Sequence, residues 1–193
     1  FFYYSLRQCL AASYRDNPLI HFSIDVQSPE SMLEKLLSNE SDIGVGYFGS
    51  FPPLLTFQPA FIEKQVVCCG REHRLFYESE GLTFEDLEQN YPWIKRGYIT
   101  DLSINHVRPK TLSATTYHMD ATAQLILAGH HVGYLPNDLA KRYEEMGLMK
   151  ILLPNEASYE VKHHWAYREN LHKQVAEFLS QMMHLLLKSS PKL

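Results

Sequence analysis

The sequence predicts an α/β protein made of two consecutive α/β units, and three observations carry that expectation. Short apolar strands alternate with amphipathic helices along most of the chain. The texture turns polar just after Gly70, and a second α/β run follows. A strand and a long amphipathic helix then return near the C-terminal end. Alternation of this kind builds sheets with crossover connections.

Residues 3–16 place Leu6, Cys9, Leu10 and Tyr14 at helical spacing, and Asn17-Pro18 ends that helix. The run 19–26, "LIHFSIDV", alternates and predicts a strand. Ser28-Pro29-Glu30 then has the chemistry of a helix start, with Met32, Leu33, Leu36 and Leu37 as its apolar face. Residues 42–48, "DIGVGYF", read as a short strand of the fully buried kind. Two further strands are expected near 54–60 and 63–70. The chain opens on a helix with no strand before it, so a strand is expected upstream.

Beyond Gly70 come a capped helix at 83–89, a strand in "YPWIKRGY" and a loop over 101–110. "TLSATTY" is a strand and "MDATAQLILAG" a helix. "HVGYLP", "NDLAKRYEEMG" and "LMKILLP" continue strand, helix, strand. Gly129 suits the end of the helix before "HVGYLP", because it adopts positive φ at low cost. Asn137 and Asp138 fall in the first turn of the next helix. "VKHHWAYRE" is the returning strand. Residues 170–188 form a helix with Val175, Phe178, Leu179, Met182, Met183 and Leu186 on one side.

Composition excludes several classes. The 193 residues carry a net charge of −4, unlike a chain that grips phosphate backbones. Cys9, Cys68 and Cys69 make an odd count with no metal-like spacing, which predicts buried free thiols in a reducing cytoplasm. No apolar run approaches the roughly 18 residues of a membrane span. There is neither a leader pattern nor a starting Met, so an upstream leader or domain stays open.

Residues 18–48, "PLIHFSIDVQSPESMLEKLLSNESDIGVGYF", resemble a segment of the LysR-type transcriptional regulators. Pro18, Ser28, Leu33, Leu36, Asp42 and Gly44 fall at matching positions without gaps. "EKQVVCCGREHRL" resembles that family's following strand and its H-P-L, with Arg74 in place of the proline. Ala128, Gly129, Val132, Leu135 and Pro136 resemble its small-residue turn, with His131 replacing the second glycine. Gln27 and Asn39 stand where glycines are usual, and Ser41 replaces an apolar residue. The run from Trp165 onward resembles the last strand and helix.

The resemblance implies the C-terminal effector-binding domain of such a regulator. Its fold would be like a type 2 periplasmic binding protein, two Rossmann-like lobes joined by two hinge strands. Residues 1–67 with 163–193 would form one lobe and 68–162 the other, with "QVVCCG" and "VKHHWAY" as hinges. A small molecule would sit in the interlobe cleft. Homodimers or homotetramers are implied, with DNA bound only through a winged helix–turn–helix before Phe1.

Ligands in open α/β sheets gather beyond strand C-termini and at helix N-termini. That logic names Gln27 and Ser28, then Tyr47 and Phe48, then Lys95 and Arg96, then Thr116, Tyr117 and His118. Tyr134, on the strand of the 132–135 run, is added to them. Two cations beyond a strand suit an anionic effector. Each position also has a plainer use: Ser28 as a helix cap, Tyr47 and Phe48 in loop packing, Lys95 and Arg96 as a solvated pair. No metal site is expected, since His130-His131 and His163-His164 are adjacent pairs pointing to opposite faces. No nucleophile elbow, phosphate loop or dinucleotide fingerprint is present, so neither an enzyme nor a cofactor is expected. The alternative carried forward is a secreted solute-binding protein of a transporter.

Overall fold

In a computed structural model the chain separates into two compact units, Phe1–Phe61 with Lys162–Leu193, and Ile62–Val161. The structure describes residues 2–98 and 107–189. Of the loop expected over 101–110, residues 101–106 lie outside the described residues.

The first unit holds α1 (Phe2–Asp16), α2 (Pro29–Leu37), β1 (Ile43–Gly46) and α6 (Lys173–Ser189). It also holds the first part of β2 (Thr56–Gly70) and the last part of β7 (Ser158–Tyr167). β1 runs antiparallel to β7, with Val45 opposite Trp165. Cys9 of α1 packs with Trp165 of β7 and with Leu179, Met182 and Leu186 of α6. Leu33 and Leu36 of α2 pack with Phe48, Leu55 and Ala166 in a second cluster. Ser28 caps α2 by accepting from the Ser31 amide at 3.3 Å, and Pro29 occupies the first turn. Asn39 takes a left-handed φ of 69° where the resembling family has glycine, a conformation asparagine tolerates.

Two expectations for this unit are corrected. The run 19–26 forms no strand. A strand needs a neighbour for its backbone groups, and none of the described strands pairs with it. Phe22 is held by ring contacts to Tyr14 and Phe178, and Asp25 by a 2.7 Å ion pair to Lys35. Ile24 and Val26, further along the same alternation, stay 63% and 72% exposed. The strand expected as fully buried over 42–48 is shorter, and only Gly44 in it is buried.

The strands expected near 54–60 and 63–70 are one continuous strand of 15 residues. Ala60, Phe61 and Ile62 include no turn-forming residue, and the strand continues through the exposed Pro59.

The second unit contains the rest of β2, a 3-10 turn at Arg74–Phe76, and α3 (Phe84–Asn90). β3 (Pro92–Arg96), β4 (Thr111–Thr116), α4 (Met119–Leu127), β5 (Val132–Pro136), α5 (Asn137–Glu145) and β6 (Met149–Leu152) complete it. β2 is antiparallel to both β5 and β6, whereas β3 is parallel to β4 and β5. The segment Gln65–Gly70 lies wholly inside this unit, with every residue buried. Its side chains feed two layers: Val67 and Cys69 pack with Trp93 and Leu87, while Val66 and Cys68 pack with Ile94, Ile126 and Leu135. That is the period-two logic of a strand covered on both faces. Thr83 and Asp86 form a reciprocal capping box at α3. Gly129 ends the α4 segment with φ +82°, as its position in the sequence predicts.

Candidate functional site

In the first unit the expected site residues are largely spent on local structure. Gln27 donates to Asp25 and accepts from the Ser31 hydroxyl at 3.0 Å. Ser28 serves as the cap of α2. Tyr47 is half-buried. Phe48 is in the core, its ring 5.3 Å from Phe57. Two hollows of this unit are a 530 Å³ groove at Asn39, Leu54 and Arg168 and a 170 Å³ apolar depression at Pro59, Trp165 and Met183. Neither includes an expected site residue.

The second unit gathers its residues more tightly. Arg96 ends β3 and lies in register opposite Thr116, which ends β4. Both side chains are buried, whereas Lys95 points to solvent. The Arg96 guanidinium is only 8% exposed. Its Nη2 donates to the Gln65 side-chain oxygen at 2.8 Å and to the Tyr134 carbonyl at 2.6 Å. Its Nε–H is buried with no acceptor. No carboxylate of a described residue forms an ion pair with it. Gln65 passes the contact on, donating to Glu63 at 2.7 Å. The Thr116 hydroxyl bonds that of Thr122 at 2.7 Å. His118 is exposed at the start of α4 and provides no side-chain cap, and Tyr117 is exposed beside it.

The phenols of Tyr98, Tyr134 and Tyr159 lie within electrostatic reach of the guanidinium. Tyr134 sits between Trp93 and Tyr159, at centroid distances of 5.6 and 4.8 Å. Burial pushes the phenols of Tyr98, Tyr134 and Tyr159 upward, against the pull of Arg96. They are therefore neutral hydroxyls, able to donate. The Tyr159 hydroxyl is buried with no partner. The arrangement is a buried cation with one unused N–H and an unused phenol, which suits a partly desolvated anion. It has no nucleophile paired to a base, and the described residues contain no cluster of metal ligands. Cys68 and Cys69 are buried, and burial pushes the Cys69 thiol up to about 12.

Residues 1–186 match the family model of the LysR substrate binding domain. The chain belongs to that family. It is 23% identical over 163 residues to the HTH-type transcriptional activator BauR of Pseudomonas aeruginosa, covering 81% of this chain and 52% of BauR. It thus spans about half the length of that curated relative. The regulatory domain of CcmR from Synechocystis PCC6803, in complex with 2-PG, superposes with a TM-score of 0.76 at 19% identity, covering 98% of this chain and 94% of CcmR's. The cofactor-binding domain of the Cbl transcriptional regulator gives 0.75 at 20% identity, covering 94% and 82%. These likenesses establish the fold of a LysR substrate-binding domain. The named relatives are regulators rather than transport receptors.

Within this LysR domain, the sequence named Arg96, Thr116 and Tyr134 but missed Gln65, Glu63 and Tyr159. Gln65 carried a signal: a lone amide opening the apolar run "VVCC" is a buried polar group that needs partners. Tyr159 carried none, because its place beside Tyr134 depends on the return of β7.

The LysR domain also buries imidazoles away from this cluster. His73 accepts from the Leu75 amide at 3.1 Å. Burial, then the nearby His130 and His131, hold its pKa below the usual value. Burial and His130 do the same for His131. The unfolded chain takes these protons near pH ~6.5 while the folded chain resists them. Stability is thus fully present above that pH and falls as pH drops through it. Urea midpoints at neutral and mildly acidic pH will show the loss, and His73→Asn, which keeps the capping acceptor, will reduce it. A midpoint that rises on acidification contradicts the assignment.

Proposed function

We propose that this chain is the ligand-sensing part of a transcriptional regulator and that its effector is an anion held by Arg96. The observation that carries the reading is the buried guanidinium with an unpartnered Nε–H and no ion pair to a described carboxylate. An uncompensated buried charge costs several kcal/mol, and an incoming anion offsets that cost. The family membership and the activator BauR support control of transcription through a DNA-binding segment elsewhere in the parent protein. The 2-PG bound to CcmR supports a small-molecule effector. Thr116, the adjacent N-terminus of α4 with His118, and Tyr134 supply the remaining polar and aromatic contacts.

The regulator works as a homodimer or homotetramer in the cytoplasm, where its three free, buried cysteines stay reduced. Effector binding shifts the balance between two arrangements of the assembly, and a tenfold shift needs about 1.4 kcal/mol of differential affinity.

A thermal-shift screen of metabolite anions against the native chain and Arg96→Gln tests the reading. The effector should stabilise the native chain, and the variant should bind it ~30-fold or more weakly, since truncating one partner of a buried charge pair costs about 2–5 kcal/mol. An effector that binds both equally sinks the anionic reading.

A further inference from the structure

We infer that the outward face of α1, continued by residues 17–26, is the surface on which a second copy of this chain docks. The inference rests on the reading that the regulator works as a homodimer or homotetramer, and it adds where the copies meet.

The face is built by helical spacing. α1 turns Cys9 toward Trp165 and the apolar side of α6. Tyr3, Tyr4, Arg7, Ala11 and Tyr14 therefore recur on the other side, three and four residues apart, and all are exposed. The three tyrosines are 66%, 57% and 46% exposed. Tyr14 carries the face onward. Its ring meets Phe22 at 5.5 Å, and Phe22 meets Phe178 of α6 at 5.3 Å, so the segment after the helix is pinned beside it. That segment leaves Leu19 93% exposed, with Ile24 and Val26 exposed as well.

Composition separates this face from a solvated one. From Tyr3 to Arg15 the helix carries two arginines and no acid. The Arg7 guanidinium lies 6.0 Å from the centre of the Tyr4 ring. α5 is the contrast: its exposed positions include Asp138, Lys141, Arg142, Glu144 and Glu145, with both signs mixed as on a helix facing water. Protein interfaces gather tyrosine and arginine and shed acids.

Size and charge favour a second copy as the occupant. Scaled by their exposed fractions, the three tyrosines with Leu19, Ile24 and Val26 present roughly 700 Å², more than the largest apolar patch of an ordinary monomer and near the ~800 Å² each partner buries in a standard interface. A metabolite covers far less than that. The chain carries a net charge of −4, so two copies repel as wholes. An acid-free face with two arginines is where their approach is least opposed. Most soluble oligomers are also built from identical copies.

The test follows molecular mass by light scattering from micromolar to ~100 µM protein. The native chain associates over this range. Tyr4→Glu combined with Leu19→Glu weakens association ~30-fold or more, because exposed aromatic and aliphatic anchors at the centre of an interface carry most of its energy. Both positions are exposed, so the melting temperature of the dilute variant stays that of the dilute native chain. Leu187→Glu, at a site of α6 that is 77% exposed, leaves association unchanged. If the double variant fails to fold, Arg7→Glu takes its place and weakens association ~10-fold. A double variant that associates as tightly as the native chain, or equal weakening by Leu187→Glu, overturns the assignment of the face and leaves the homodimer reading standing. A native chain that stays monomeric means that another segment or another protein covers the face, and it overturns the inference together with that reading.

Discussion

Replacing Trp93 with alanine should cost about 3–5 kcal/mol, enough to unfold the second unit or bring it to the edge of unfolding. Trp93 is 2% exposed and packs with Val67, Cys69, Leu75, Leu87 and Val132. It sits on β3 between β4 and β5, opposite Leu112 on one side and Val132 on the other. Its indole N–H donates to the Leu87 carbonyl at 2.7 Å, tying β3 to α3. The substitution removes the packing, opens a cavity and leaves that carbonyl unsatisfied, which adds to the loss. Tyr134 leans on the indole, and its carbonyl is an acceptor for Arg96. Any folded fraction should therefore bind anions less well. Urea unfolding followed by circular dichroism measures the cost, and a loss below ~1 kcal/mol would show that this residue is not the centre of its core.

Most of the fold was legible because its signals are local. Ser28-Pro29 and the Thr83…Asp86 box declare helix starts in chemistry that acts within three residues. The run "VVCC" declares a strand covered on both faces. The failures needed knowledge of neighbours. "LIHFSIDV" has the alternation of a strand, but alternation does not supply a ladder partner, and the segment forms no strand. Two strands are expected over 54–60 and 63–70, yet nothing in residues 60–62 turns the chain and β2 runs straight through.

The candidate site was legible to a lesser degree for the same reason. "KR" at the end of a strand pointed to a cation, and the pleat decided which of the two is buried. Arg96 faces inward and Lys95 outward, a distinction that depends on register with Thr116 and Thr115. Gln65, 31 positions away in sequence, reaches Arg96 only because β2, β5 and β3 lie side by side. Phe48 satisfied the positional rule for a ligand contact, but its hydrophobicity took it into the core with Leu36 and Leu55.

Two glycines separate a backbone contact from a side-chain contact, and they make the second large prediction. A β-carbon on Gly70, at the end of β2, would lie 2.2 Å from the Ile126 carbonyl oxygen and 3.0 Å from the Leu127 Cα. Those atoms belong to the α4 backbone and cannot turn aside. Gly70 also pairs with Met149 of β6, so the strand cannot easily retreat. Gly70→Ala should therefore cost about 3 kcal/mol, at the upper end of overpacking effects. Gly97 provides the control. A β-carbon there would lie 2.4 Å from the Tyr117 ring, an equally severe clash on distance alone. Tyr117, however, is 57% exposed, and its ring can rotate into solvent. Gly97→Ala should cost less than ~1 kcal/mol, as a surface rearrangement does. Denaturant midpoints of the two variants decide the matter. A large gap between them means that α4 rests directly on the β2 backbone, which fixes the helix whose N-terminus follows Thr116. Equal costs would mean that α4 can shift, and the placement of that helix end beside Arg96 and Thr116 would have to be redrawn.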